Sequence, residues 1–305
     1  MIRFGLCCVF REAPIHFRRT TARYLQSLPR RQQLNRLADI ARHNADALLQ
    51  ALRYCRDHGI GAFRINSQIL PLKTHPSAGY ALQDLPGHRE IKDLFLQCGA
   101  FSRLHRIRTS FHPDQFIVLN SPDPDVRKRS LEELTYQAEV ARWVNADVIN
   151  LHGGGGYGDK RSALDRLTQA IRKLPRAVRQ RLTLENDDRV FTPRDLLPVC
   201  RQTRTPLVYD VHHHRCLPDD MDEAAATREA LNTWSRQPYF HLSSPLHPWG
   251  RGDCRPHHDY VDPADFPCAW RDLEITVDIE AKAKELAIAR LRKQLNRHPD
   301  HRCGP

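Results

Sequence analysis

What this chain of 305 residues lacks narrows it quickly. No apolar run approaches the roughly 20 residues of a membrane-spanning helix. The early stretch Phe4–Phe10 is far shorter and has no small-residue cleavage site after it, so it reads as a strand and not as a signal peptide. With a mean hydropathy of −0.60, a cytoplasmic protein without membrane contact is expected. There is no CxxC pair, and the nine cysteines are odd in number. That excludes a zinc ribbon or disulfide scaffold and predicts reduced thiols. No GxGxxG follows the first apolar run, and the glycine tract Gly153–Gly156 lacks the Lys-Ser/Thr of a P-loop. Both absences argue against a nucleotide site. Lysine is scarce as well, 8 of the 47 Lys and Arg residues, which leaves 39 arginines. Guanidinium forks match phosphate, although a GC-rich coding sequence would produce the same bias.

What is present is positive charge and histidine. The formal net charge is +11 and the pI about 9.4, which favours a polyanionic partner. Apolar runs alternate with helical patterns. Strands are expected at Ile2–Phe10, Ala62–Asn66, Ile107–Phe111, Val148–Leu151, Leu182–Leu184, Leu207–Tyr209, Tyr239–Leu242 and Ile275–Ile279. Helices are expected at Gln33–Asp57, Arg127–Asn145 and Glu280–Arg297, with further starts at Thr192-Pro193 and Asp262-Pro263. Eight such alternations predict an α/β fold, a (β/α)₈ TIM barrel over residues 1–297 with a polar tail at 298–305; an open doubly wound sheet is the alternative. Two long connections, Arg11–Gln32 and Ser67–Gly87, would lie on the face that carries the site, and the first holds Arg18 and Arg19 among its six arginines.

Nine side chains sit at or just past the ends of those runs: His75, His112, His152, Glu185, Asp210, His213, His241, His257 and Glu280. One such placement means little, since a lone loop histidine is usually only polar. A carboxylate ending an apolar strand, such as Glu185, is costly unless a cation meets it. Six imidazoles and three carboxylates around a ring suit two or three divalent ions that share bridging carboxylates. Paired ions a few ångströms apart can activate a water and steady the leaving oxygen of a phosphodiester.

Lys73–Pro76, Phe111–Phe116, Ser121–Pro124, His152–Lys160, Leu184–Asp188, Asp210–His214, His241–Pro245, His257–Tyr260 and Glu280–Glu285 together resemble the UV damage endonuclease family, from about Ile2 to Arg290. The resemblance implies a TIM barrel related to endonuclease IV and the xylose-isomerase-like enzymes. It implies recognition of cyclobutane pyrimidine dimers and 6-4 photoproducts in duplex DNA, with incision immediately 5′ to the lesion leaving 3′-hydroxyl and 5′-phosphate ends. Divalent metal is implied too, manganese by preference, with magnesium or zinc as alternatives. The family's metal ligands fall on the nine residues above. His257 is taken over His258 because His257-His258-Asp259-Tyr260 aligns with a His-Ala-Asp-Tyr pattern. Glu185, Asp210, His241 and Glu280 are the expected catalytic group.

Lesion and phosphate contacts are assigned to Gln115, Phe116, Leu6, Tyr239, Lys160, Arg18 and Arg19. Three of these positions depart from the family pattern: Leu6 and Phe116 stand where tyrosines are usual, and Tyr239 where lysine is. A monomer with no obligate protein partner is expected, because bent duplex DNA would occupy the active face. The alternatives are an abasic-site endonuclease of endonuclease IV type, a sugar isomerase or epimerase on the same barrel, and a damage-binding protein without turnover. The basic pI disfavours the isomerase.

Overall fold

In the computed structural model, which describes residues 2–297, eight parallel strands close into a barrel in the order β1 to β8. The strands are β1 (Arg3–Cys7), β2 (Ala62–Ile65), β3 (Arg108–Phe111), β4 (Ala146–His152), β5 (Leu182–Glu185), β6 (Leu207–Asp210), β7 (Tyr239–Leu242) and β8 (Thr276–Ile279). Pairing of β1 with β8, Gly5 opposite Asp278, completes the ring and rules out the open sheet. Every residue of β2, β5, β6, β7 and β8 is buried. Strands covered on both faces read as continuous apolar runs, which is why they were visible in the sequence.

Ten helices fill the connections among the described residues: α1 (Ala22–Gln26), α2 (Arg30–Asp57), α3 (His88–Leu104), α4 (Pro124–Trp143), α5 (Lys160–Lys173), α6 (Arg176–Arg179), α7 (Pro193–Thr203), α8 (Val211–Cys216), α9 (Glu223–Leu231) and α10 (Glu285–Arg297). Several boundaries differ from expectation. β1 stops at Cys7 because Cys8 turns into the left-handed region at φ 64°. α4 starts earlier than Arg127, since the Asp123 side chain accepts from the Asp125 amide and Pro124 opens the helix. α10 begins at Glu285, leaving Glu280 in the loop after β8. Thr192 caps α7 as expected, but Asp262-Pro263 opens only the single 3₁₀ turn Pro263–Asp265. The expected tail, 298–305, lies outside the described residues. Seven described cysteines are free thiols. No described helix is long and apolar enough to cross a membrane.

The two long loops are built into the barrel. Buried Asn44 of α2 accepts from the Arg18 amide at 2.7 Å and donates to the carbonyls of Arg18 at 3.0 Å and Ile69 at 2.9 Å. One amide side chain thereby ties the first loop to the second. Glu285 accepts from the amides of Arg11 and Glu12 at 2.7 Å and of Ala13 at 3.1 Å. These bonds hold the loop that carries the exposed Arg18 and Arg19 over the C-terminal mouth.

Asn44→Ala would leave three backbone groups without their partner, so stability in urea unfolding should fall by about 1–3 kcal/mol, with faster amide exchange at Arg18. A change smaller than a few tenths would show that the two loops are held by other contacts.

Candidate metal centre

The C-terminal ends of six successive strands bring seven of the nine expected ligands together. His112 follows β3, His152 ends β4, Glu185 ends β5, Asp210 ends β6, His241 lies in β7, and Glu280 follows β8. Asp210 also caps α8: its Oδ1 accepts from the His213 amide at 2.8 Å and so turns His213 back toward the barrel axis. Three adjoining groups result: His112, His152 and Glu185; Glu185, Asp210 and His213; Asp210, His241 and Glu280, with ligand atoms in each group within 4.8 Å of one another.

Glu185, fully buried, is common to two of these groups. Its Oε2 faces His112 Nε2 at 2.9 Å and accepts from the Asn150 amide, while its Oε1 faces His241 Nδ1 at 3.0 Å. Burial alone would raise the carboxyl; the imidazoles of His241, His152 and His112 outweigh it and hold Glu185 well below the usual carboxylate range. The same opposition acts elsewhere. Burial pulls His213 down, but Asp210 and Glu185 carry it well above an ordinary histidine. His152 is lowered, chiefly by burial.

The donor set fits divalent ions. His152 Nδ1 and Asp210 Oδ2 are buried and have no hydrogen-bond partner, one from each of the first two groups. Buried polar atoms without partners are rare in native folds, and an ion is one of the few explanations. Imidazole nitrogen with carboxylate oxygen suits manganese, zinc or magnesium more than soft copper.

A second layer lies beneath. Arg64 of β2 donates to Asp278 Oδ2 at 2.8 Å and pairs with Glu280 Oε1 at 2.6 Å. Its Nη2 lies 2.9 Å from His241 Nε2. Arginine has no acceptor, so Nε2 accepts, which leaves Nδ1, toward Glu185 and Glu280, as the nitrogen that would face an ion. Burial opposes ionisation of Glu280, but Arg64 and then His241 keep it well below the carboxylate range. Tyr239 donates to Asp278 Oδ1 at 2.7 Å and contacts Ser110 Oγ at 3.0 Å. Room for Asp278 comes from Gly5, where an added Cβ would stand 2.0 Å from its Oδ1.

A cavity of about 1200 Å³ opens above the ligands, lined by His75, Gln115, Phe116, His152, His213 and Glu280 among others. Gln115 is exposed and Phe116 is 67% exposed, as a probing pair requires. Lys160 begins α5, half exposed, and its Nζ is 2.9 Å from Asp195 Oδ2. His257 Nδ1 lies 3.8 Å from Glu280 Oε2, beside the third group. His258 instead turns away, accepting from the Tyr260 amide at 3.0 Å. His75 lines the cavity but joins none of the three groups; its Nδ1 faces the amides of Ser77 and Ala78 at 3.3 Å.

Two expected DNA contacts are placed differently. Leu6 is fully buried in the core, and Tyr239 is 1% exposed beneath the ligands. Neither reaches the surface: Tyr239 bonds Asp278 from beneath, and Leu6 packs in the core.

Sequence reasoning missed Arg64, Asp278, Asn150 and Asn186. Asn186 exchanges hydrogen bonds with the Asp210 backbone, at 3.0 Å and 2.8 Å, and locks the ends of β5 and β6 together. A signal for two of them existed: Arg64 in Phe63-Arg64-Ile65 and Asp278 in Val277-Asp278-Ile279 are charges inside apolar strands, where a partner is required.

Gly5→Ala should drive the Asp278 carboxylate off Arg64, costing about 1–3 kcal/mol as an overpacked core does, measurable by urea unfolding. Unchanged stability would show that the strand pair has slack there.

The UV-endonuclease UvdE family model matches residues 2–302. The UV DNA damage endonuclease of Bacillus velezensis is 36% identical, covering 97% of this chain and 94% of that protein. The enzyme of the same name from Bacillus cereus is 30% identical, covering 89% and 86%. Among solved structures, the crystal structure of SacUVDE superposes with a TM-score of 0.87 at 26% identity, covering 98% of this chain and 99% of the other. Endonuclease IV from Thermus thermophilus superposes at 0.63 with 15% identity, covering 97% and 99%, a likeness of fold.

Proposed function

The chain belongs to the UV-endonuclease UvdE family and is a DNA endonuclease of UV-damage repair; from that premise we propose that it incises duplex DNA immediately 5′ to cyclobutane pyrimidine dimers and 6-4 photoproducts. The products on this reading are a 3′-hydroxyl and a 5′-phosphate. The observation that carries it is the set of seven converging imidazoles and carboxylates under a cavity flanked by exposed Gln115 and Phe116.

We assign two or three divalent ions, manganese by preference, to the three groups, with His257 as an adjoining ligand. His75 is kept as a ligand proposal that requires a shift of its loop, because its ring now faces backbone amides. When bound, such ions supply activation of a water and stabilisation of charge on the phosphate oxygens. The protein's own contribution is placement. Glu185 presents one oxygen to each side, Asp210 is fixed by its capping bond, and His241 and Glu280 are held from behind by Arg64. The partners of those ligands are part of the design, since removing such supports typically costs 10–100-fold.

Lys160, Arg18 and Arg19 are the proposed phosphate contacts, all exposed on loops or helix starts at the mouth. Gln115 and Phe116 would enter the duplex where photoproduct damage weakens stacking, since wedging and flipping are easiest at a base step already disturbed. The intact ligand set argues for turnover and against a protein that only binds damage.

A duplex with one cyclobutane dimer, labelled at either end in turn, tests the incision site. A single cut 5′ to the dimer, with an extendable 3′ end, is expected; a cut elsewhere or a blocked end would overturn the assignment. Glu185→Gln should lower incision at least about 100-fold, beyond the usual cost of disturbing an outer partner. Ala at Gln115 or Phe116 should narrow the preference for damaged over intact duplex. An unchanged preference in both variants would remove them from probing.

A further inference from the structure

Gly156, Tyr157, Gly158 and Asp159 connect β4 to α5 by a tight turn. The Asp159 amide donates to the Gly156 carbonyl at 3.0 Å, and both central residues have positive φ, 50° at Tyr157 and 81° at Gly158. That is the pattern of a type I′ turn, whose first central position favours Asn, Asp or Gly. Tyrosine is a poor choice there on backbone grounds, and strain of this kind concentrates where a side chain is needed.

The side chain is seated as well as strained. An added Cβ at Gly155 would fall 2.9 Å from the Tyr157 ring, so the ring lies against a backbone kept bare. The Arg166 guanidinium is 5.8 Å from the ring centroid and is itself fixed by the Asn120 carbonyl at 2.9 Å. Asn120 also donates to the Gly155 carbonyl at 2.8 Å, bracing the loop from the other side. With these supports, 46% of Tyr157 remains exposed. It lines the same cavity as Phe116, Gln115 and the ligand His152.

We propose that Tyr157 is a base-stacking platform, taking the face of a nucleobase displaced beside the lesion. This rests on the reading of the chain as an endonuclease for damaged duplex, and it gives that reading a second ring besides Phe116. Aromatic rings bind any base through its π-face, so the contact suits an enzyme that must accept lesions in many sequences. With Leu6 and Tyr239 both buried, Tyr157 also supplies the exposed ring that those two positions do not.

The test uses a Glu185→Gln background, expected to bind while incising at least about 100-fold more slowly, and fluorescence anisotropy with duplexes that contain one cyclobutane dimer or none. Tyr157→Asn should weaken binding of the damaged duplex on the order of 5- to 150-fold, the loss of one base–aromatic stack. Its melting temperature should equal or exceed the parent's, because Asn suits the turn. Tyr157→Phe should bind as the parent does. Gly155→Ala, which displaces the ring without removing it, should weaken binding in the same direction as Tyr157→Asn. An unchanged affinity for damaged DNA in Tyr157→Asn would overturn the proposal. If the parent shows no preference for damaged over intact duplex, the underlying reading fails as well; a parent that discriminates while Tyr157→Asn discriminates equally would sink the platform alone.

Discussion

Burial of the Glu185 carboxylate is the constraint on which the rest of the site depends. An ionised carboxylate with no exposure is intolerable in a protein interior unless cations or donors surround it. Here both oxygens are engaged, by His112 and Asn150 on one side and His241 on the other. Asp210 and Asp278 are also fully buried, and Glu280 lies close by, while among the described residues Arg64 is the single guanidinium that reaches Asp278 and Glu280. So much buried negative charge against one fixed positive charge is a natural host for divalent ions. It also explains why imidazoles, which can be neutral ligands or cationic partners, crowd the same place.

The barrel makes that concentration achievable. Parallel strands end at one rim, so residues far apart in sequence meet without any local loop having to carry them. Gly5 yields the space for Asp278, Asn186 locks the tips of β5 and β6, and Asn44 with Glu285 moors the first long loop over the rim. The rim then has two characters: a buried charged floor fixed by rigid strand ends, and exposed groups on loops, among them Phe116, Tyr157, Arg18 and Arg19. On the proposed reading, chemistry belongs to the first and recognition to the second, which is the division expected of loops on a rigid scaffold.

Much of this was legible in the chain. Continuous apolar runs gave eight strands, and His or carboxylate at their ends gave seven residues that converge. Strand-end ligands are readable because the barrel leaves them little freedom. His75 is harder, because a histidine ten residues past β2 depends on how its loop folds, and its nitrogen turns to local amides. Leu6 and Tyr239 were misplaced because alignment to a family pattern carries position but not burial. Arg64 and Asp278 went unnoticed as single charges in apolar strands, although their pairing is the reason both are tolerated. The helix expected at Asp262-Pro263 failed for a different reason: a cap and a proline start a helix, but Pro267 holds the preceding Phe266 extended at ψ 116° and ends it after one turn.

The central claim, metal-dependent cleavage directed by UV damage, is tested most directly by incubating supercoiled plasmid, irradiated or not, with the protein in Mn²⁺, Mg²⁺ or EDTA. Relaxation of the irradiated plasmid alone, with Mn²⁺ and not with EDTA, is the predicted result. Equal nicking of both plasmids, or nicking that persists in EDTA, would contradict it.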